Sequence, residues 1–461
     1  MWRWTILITL VAVLMLIVAN FETIRINFML LMIFIRGILA PNCFWYGITD
    51  RLISDGSGVN LYYTIKEKYK KKIVPTNMLG QTINVVIDNG FIRQILDNSP
   101  DTFAVGKFKF KIFKSFMEYN VGVSEGCPWK QRRLLNEAVL ASDQLHPYAG
   151  IFNNHIVRLT AEQGAPMHFK QFSDFGLKTA AAIVFNDTYL KPFKIFGEAN
   201  SLKALLLGQH PITPETDHDY HQYLLTQIIN PKPYSLTAMG KRDLAAIEGR
   251  CPAGEMQDGT TELLHQIPHW MFPISGLITV SAPRVLALLL NHPVVLHKLI
   301  MELQPLGREP TAQQIHGTHY LRNCILETFR LNNPVVTTYR TLRKPYELKK
   351  GYSYKTGDQF LILNNPVLRD PEAFPEPNRY RPGRWNQALE QSYYAIMFNQ
   401  GPQRCPGKEL AIFVLKSFII NWLNAFGIVQ TGQVNVKTKK LDVTGLPQML
   451  NPCNISFTLS H

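Results

Sequence analysis

The chain opens on a nearly uncharged apolar run from Trp4 to Phe21, at the lower limit for a helix that spans a bilayer. Trp2 and Trp4 suit the membrane interface. A second apolar stretch, Phe28–Ile35, is too short to span and is expected to lie in the interface or against the domain. Beyond it the pattern becomes globular. Ile83–Ile87 reads as a short strand ahead of a helical segment, Phe91–Leu96, and an amphipathic helix follows Pro128. Helical patterns fill 147–208, broken near Gly164-Ala165-Pro166 and at Pro192, whereas 209–260 is rich in Pro, Gly, His and Thr and gives no readable period. Leu263–Leu290 is a long apolar helical run that stops at Asn291-His292-Pro293, although Pro268, Pro273 and Pro283 interrupt it. A helix over Leu321–Arg330, a proline-stiffened coil over Phe374–Trp385 and an apolar helix starting at Lys408 complete the pattern. The expectation is a mainly α protein with a small β-rich subdomain: an anchor segment at 1–40 and one domain over 41–461.

The stretch with the clearest chemistry is Phe398-Asn399-Gln400-Gly401-Pro402-Gln403-Arg404-Cys405-Pro406-Gly407. Gly and Pro flank the cysteine, and the loop empties into a helix N-terminus, which lowers a thiol's pKa. Such a sulfur suits a metal, and nearby backbone N–H groups tune its electron donation. The alternative is a small buried cysteine that only packs. Trp129 and Arg133 are four apart and share a helix face. Together an indole N–H and a guanidinium make a carboxylate clamp, or else a surface cation–π pair. Glu327 and Arg330 sit side by side on a helix whose neighbours are apolar, so a buried ion pair is expected. His265 and His269 have metal-pair spacing but no evident third ligand, so packing or capping is favoured.

Phe-x-x-Gly followed by Cys-x-Gly at the head of a long helix resembles the haem-binding loop of the cytochrome P-450 family. One position departs: the family usually has Arg two residues before the cysteine, where this chain has Gln403, with Arg404 displaced by one. The resemblance implies haem b with Cys405 as axial thiolate, Phe398 and Arg404 in the haem loop, and Trp129 and Arg133 on one propionate. It also implies Arg340 on the other propionate, and a structural network of Glu327, Arg330 and Arg384. In the family the long central helix carries an acid followed by Thr that relays protons to iron-bound dioxygen. Here the matching positions are Gly276 and Leu277, and neither can relay a proton. Ser275, Thr279 and Ser281 are the nearby hydroxyls, and Ser275 and Thr279 are the candidates to stand in.

The activity implied is insertion of one oxygen atom from O2 into an apolar substrate such as a lipid, sterol or xenobiotic. Residues 426–461 are too few for a fused reductase, so electrons are expected from a separate reductase or ferredoxin-type donor. Lys130, Arg132 and Lys408 could form a basic face for an acidic donor. The missing acid–alcohol pair keeps two other readings open: a peroxide-using or isomerase-type enzyme, and a haem-binding protein without turnover.

Net charge is +14 over 461 residues, which suits an acidic partner or an anionic membrane; no nucleic-acid recognition motif accompanies it. Lys66–Lys72 reads as a solvated helix end or a lipid-facing patch. Six cysteines show no pairing rhythm, from which a reducing compartment is expected. Arg25, Arg36 and Arg51 follow the first apolar run and only Arg3 precedes it, which favours a single-pass anchor with the haem domain cytosolic. On that topology the sequons at Asn186-Asp187-Thr188 and Asn454-Ile455-Ser456 stay unmodified.

Overall fold

In a computed structural model the described residues are 66–67, 70–78, 81–106, 110, 117–188, 218–245, 247, 249–335, 337–349, 351–438 and 450–460. The apolar segments within 1–40 and the break at Pro192 lie outside them.

A small sheet forms one side. Its strands are β1 (Ile73–Met78), β2 (Gln81–Val86), β3 (Phe103–Val105), β4 (Thr337–Leu342) and, after two short strands β5 (Tyr346–Glu347) and β6 (Ser353–Tyr354), β7 (Gln359–Leu363). The order is β1-β2-β7-β4-β3, with only β2 and β7 parallel. β8 (Val436–Thr438) and β9 (Phe457–Leu459) form a separate antiparallel pair.

Helices make up the rest. The longer ones are α1 (Asn89–Asp97), α2 (Gly126–Val139), α3 (Ala149–Gln163), α4 (Phe169–Phe185), α5 (His218–Ile229) and α6 (Leu236–Leu244). They continue as α7 (Gly259–Gly276), α8 (Ala282–Leu290), α9 (Pro293–Leu303), α10 (His319–Leu331) and α11 (Lys408–Ala425). Local chemistry sets several starts. Asp88 caps α1 by accepting from Phe91 N–H at 3.0 Å, and Asp258 caps α7 through Thr260 and Thr261. α5 and α6 occupy the stretch that shows no readable period. Their apolar residues (Tyr220, Leu224, Ile228; Leu236, Met239, Leu244) bury against the same core as α7.

The long apolar run is one continuous path made of α7, a π-helical turn over Leu277–Ser281, and α8. Pro268 and Pro273 each remove an N–H from the α7 ladder, and Pro283 falls in the first turn of α8, where a missing N–H costs little. Among the described residues this is the one helix long and apolar enough to cross a membrane, but its apolar window is 78% buried inside the protein. It is the core helix of a globular body.

α2 is fastened to α7 by polar contacts that the sequence did not reveal. Arg132 makes a buried two-point ion pair with Glu262 at 2.6 and 2.7 Å and also donates to Ser124. Asn136 donates to Gln266 and accepts from Trp270. Next to them, Cys127 and Cys251 are joined by a disulfide with Cα atoms 5.7 Å apart, and Cys453 is disulfide-bonded as well. The expectation that the cysteines are unpaired is therefore overturned for Cys127, Cys251 and Cys453. It failed because a separation of 124 residues hides a contact made only by folding α2 against the loop ahead of α7. Lys66, from the basic stretch near the anchor, pairs with Asp370 at 2.6 Å and so is held on the protein rather than left to lipid.

Between α2 and α3, His146 is buried with both ring nitrogens used: one faces the Val139 carbonyl and the other accepts from Tyr148 N–H, each at 3.0 Å. Burial lowers its pKa to about 4.

Candidate haem-thiolate site

The loop before α11 is a pair of tight turns. Ile396–Phe398 and Gly401–Gln403 are single 3-10 turns, and Cys405 N–H closes back on the Phe398 carbonyl at 2.8 Å. Gly401 sits at φ +71°, and a Cβ there would lie 2.6 Å from the Leu96 carbonyl oxygen of α1. Only glycine fits that close approach. Phe398 packs its ring edge-on against Phe329 of α10, with centroids 5.4 Å apart, which ties the loop to the helix beneath it.

Cys405 leaves this loop at the head of α11 with its sulfur accessible. Even so, desolvation by surrounding protein pushes its thiol pKa up, against the Gly407 N–H and the charges of Arg133 and Lys408, which pull it down. The two observations agree if the sulfur looks into a space walled by protein rather than into bulk water. Desolvation thus opposes the pull of the helix N-terminus on this sulfur. A bound metal would add to that pull.

The second element of the site is a buried cation with no acidic partner among the described residues. Arg340 on β4 is buried, and its guanidinium bonds only neutral oxygens, Ser99 Oγ at 3.0 Å and the Tyr339 carbonyl at 2.9 Å. Burial lowers its pKa to about 10. A buried guanidinium in that position calls for an anion. Trp129 and Arg133 are also buried on α2. Arg133 pairs with Glu137 at 2.7 Å and donates to the Arg404 carbonyl, and the Trp129 indole N–H makes no hydrogen bond among the described residues. An accessible sulfur, an uncompensated buried arginine and an unspent indole donor form a donor set that fits a haem and its propionates.

Arg404 does not join them. Its guanidinium turns outward to Asp143 and is half exposed, so only its backbone carbonyl serves the site. Gln403, at the position of the family's arginine, keeps its side-chain Oε1 buried without a partner.

The structural network is present in full. Glu327 and Arg330 are both fully buried and pair at 2.8 and 2.9 Å. Glu327 also accepts from Arg384 at 3.1 Å, Trp385 Nε1 at 3.0 Å and Arg381 N–H at 2.9 Å. Arg330 spends its remaining donors on the carbonyls of Leu368, Pro377 and Arg379. Glu327 is thus the one carboxylate shared by two arginines, whose remaining donors go to backbone carbonyls and fix the proline-stiffened coil.

The oxygen side differs. Thr279 Oγ1 donates to the Ser275 carbonyl at 2.8 Å, and Ser275 Oγ donates to the Phe272 carbonyl at 3.0 Å. Both side chains are buried. A Cβ on Gly176 of α4 would lie 2.6 Å from Thr279 Oγ1 and 2.7 Å from the Ser275 carbonyl, so Thr279 faces α4. The two hydroxyls proposed as catalytic are thus spent on the helix backbone. Between Phe272 and Ser281 the positions left accessible are Phe272, Pro273, Gly276 and Leu277, which carry neither acid nor alcohol. His265 packs edge-on against Tyr119, with centroids 4.8 Å apart, and burial lowers its pKa to about 4. That is a packing role, as the sequence suggested.

The basic face is smaller than expected. Arg132 is buried in its pair with Glu262, and Lys408 pairs with Glu390 at 2.6 Å; Lys130 remains exposed. Cys127, Cys251 and Glu255 lie within 4.8 Å of one another, but the sulfurs are bonded to each other rather than available to a metal.

The helical body, the sheet and a cysteine loop backed by a buried Glu–Arg–Arg network define a haem-thiolate class of protein. Residues 278–452 match the family model described as Cytochrome P450. Relatives include Cytochrome P450 306a1 of Drosophila melanogaster, 34% identical over 28% of this chain and 23% of its own length. Another is the 24-hydroxycholesterol 7-alpha-hydroxylase of Homo sapiens, 29% identical over 37% of this chain and 38% of its own. The lithocholate 6-beta-hydroxylase of Mesocricetus auratus is 24% identical over 68% of this chain and 70% of its own. The first of these relatives are thus matched over well under half their length. Residues 278–452, the segment that carries Cys405, are thus similar to the cytochrome P450 family. The family implies a haem with a cysteine thiolate as axial ligand.

Proposed function

We propose that the chain is a haem-thiolate monooxygenase that inserts one atom of O2 into an apolar substrate, with electrons from a separate donor. The observation that carries this is Cys405: a free, accessible cysteine at the head of α11, within the segment that matches the family.

Haem would be held by the Cys405 sulfur and by Arg340, Trp129 and Arg133 at its propionates. When bound, it supplies the oxygen chemistry, for which a thiolate ligand favours O–O cleavage. The protein's part is to hold and to exclude. The Gly407 N–H at the sulfur tempers its electron donation. Phe398, edge-on against Phe329, ties the loop to α10, and the Glu327 network on the same helix holds the coil that precedes the loop. On the opposite wall Phe272, Pro273 and Leu277 offer an apolar surface for a lipid, sterol or xenobiotic. Sterol-type substrates fit the names of several relatives, including the human 24-hydroxycholesterol 7-alpha-hydroxylase. Lys130 is the free cation left to meet an acidic donor on α2, and the 1–40 segment is the proposed membrane attachment.

A second reading has its own support. With Ser275 and Thr279 turned to backbone carbonyls, none of the accessible side chains between Phe272 and Ser281 can pass a proton. That favours a peroxide-using or isomerase-type enzyme, in which no proton need be delivered to bound O2, or haem binding without turnover. A reduced carbon monoxide difference spectrum tests the common core. The thiolate band is expected for the wild type, and its survival in Cys405→Ala would end the assignment. Product formed with NADPH and reductase supports the monooxygenase, product formed with peroxide alone supports the second reading, and none from either leaves a haem carrier.

A further inference from the structure

Away from Cys405, one cluster joins two sulfurs to a carboxylate. Cys127 lies in the first turn of α2, where a helix N-terminus favours a thiolate, and Cys251 sits in the loop that leads to α7. After Cys251 the chain folds back over 252–255. Glu255 N–H donates to the Pro252 carbonyl at 3.1 Å, and Gly254 takes the left-handed conformation, at φ +84°, that such a turn needs. The turn brings the Glu255 carboxylate within 4.8 Å of both sulfurs. That carboxylate is exposed and makes no ion pair or hydrogen bond among the described residues.

The two sulfurs are also brought together independently of the bond between them. Arg132 pairs with Glu262 and Asn136 bonds Gln266, which docks α2 on α7. Gln257 N–H donates to the same Glu262 carboxylate at 3.0 Å and so ties the end of the loop to that pair. Opening the disulfide therefore leaves the sulfurs facing each other beside Glu255. Two thiolates and one carboxylate are a three-ligand set for a borderline-soft divalent cation such as Zn2+, whose fourth, tetrahedral position goes to water. A cavity of about 210 Å3, lined in part by Cys251, Gly254 and Met256, gives room for that water.

We propose that Cys127, Cys251 and Glu255 form a redox-gated zinc site: oxidised, the sulfurs bond to each other; reduced, they hold Zn2+ together with Glu255. In the opening step two thiols of a small-molecule reductant pass one electron and one proton each to the protein sulfurs and leave as one disulfide. Zn2+ then displaces the two sulfur protons to water. Either state clamps the first turn of α2, whose N-cap Glu125 makes no side-chain cap, two residues ahead of Trp129. Neither step involves haem.

The test takes the haem-loaded full chain, reduces it with a phosphine in oxygen-free buffer, adds Zn2+ and desalts. Elemental analysis is expected to find one zinc per chain in the reduced protein and none in the oxidised protein. Peptide mapping should show Cys127 and Cys251 shielded from alkylation by the metal. Cys127→Ser and Cys251→Ser should each lose the zinc. Glu255→Gln changes only an exposed turn residue, so it serves even where the cysteine variants misfold; it should keep the disulfide and weaken zinc binding at least about ten-fold. Reduced protein that retains no zinc, zinc that stays with Cys127→Ser, or an unchanged affinity in Glu255→Gln would each overturn the proposal. The carbon monoxide band of the same sample should be unaltered by zinc; its loss would place the metal at Cys405 and overturn the proposal as well.

Discussion

The cysteine side of the site and the helix opposite it are built from different materials. Beneath Cys405, Glu327 gathers Arg330, Arg384, Trp385 and the Arg381 N–H onto one buried carboxylate. On the other side, α7 and its π-helical turn carry prolines, a glycine and a leucine where proton relays would stand, and their hydroxyls bond their own backbone. The first region over-determines where a sulfur sits. The second determines only a shape. A scaffold can thus keep its cofactor-holding half while the half that handles protons is altered.

That contrast can be broken or sharpened in order of expected effect. Cys405→Ala should abolish the thiolate-type carbon monoxide band entirely, whatever happens to folding. Next, Glu327→Ala should leave two buried guanidinium groups uncompensated and lower stability by about 3–5 kcal/mol; urea unfolding measures this, and a loss under about 1 kcal/mol would mean the network is not load-sharing.

Acid should act with intermediate strength. His146 and His265 are held neutral by burial, with pKa values lowered to about 4 from the ordinary histidine value of 6.5. Between those limits the unfolded chain binds more protons than the folded one, so stability is full above pH ~6.5 and falls as pH drops toward ~4. Each histidine contributes a slope of at most about 1.4 kcal/mol per pH unit. Thermal melts from pH 7 to 4 give the slope, and His146→Gln should flatten part of it; an unchanged profile would contradict the assignment. The smallest effect belongs to the opposite helix. Thr279→Val should cost about 1 kcal/mol of stability through its lost backbone bond and change turnover less than two-fold. A ten-fold fall in coupled product would show that Thr279 does relay protons and that the contrast drawn here is wrong.

Much of the cysteine side was legible beforehand because its signals are local. Turn residues around Cys405, the i,i+3 pair of Glu327 and Arg330, and the apolar period of α10 and α11 each lie within a few residues of chain. Arg384 and Arg340 were reached only through the family resemblance, since their partners are distant in sequence. Arg404 illustrates the limit: adjacency to the cysteine suggested a haem contact, but the turn directs its side chain to Asp143. Ser275 and Thr279 had the right chemistry at plausible positions, and only packing against Gly176 revealed which way they face. α5 and α6 went unread because proline and glycine around them mask the period.

By itself the sequence determined the helical composition, the sulfur at a constrained loop and the charges that would support it, because those depend on neighbours a few residues away. Only the tertiary structure decided which cysteines bond, which arginine is buried without an acid and which hydroxyls are spent. Those outcomes depend on contacts between segments that the chain brings together only when the core closes.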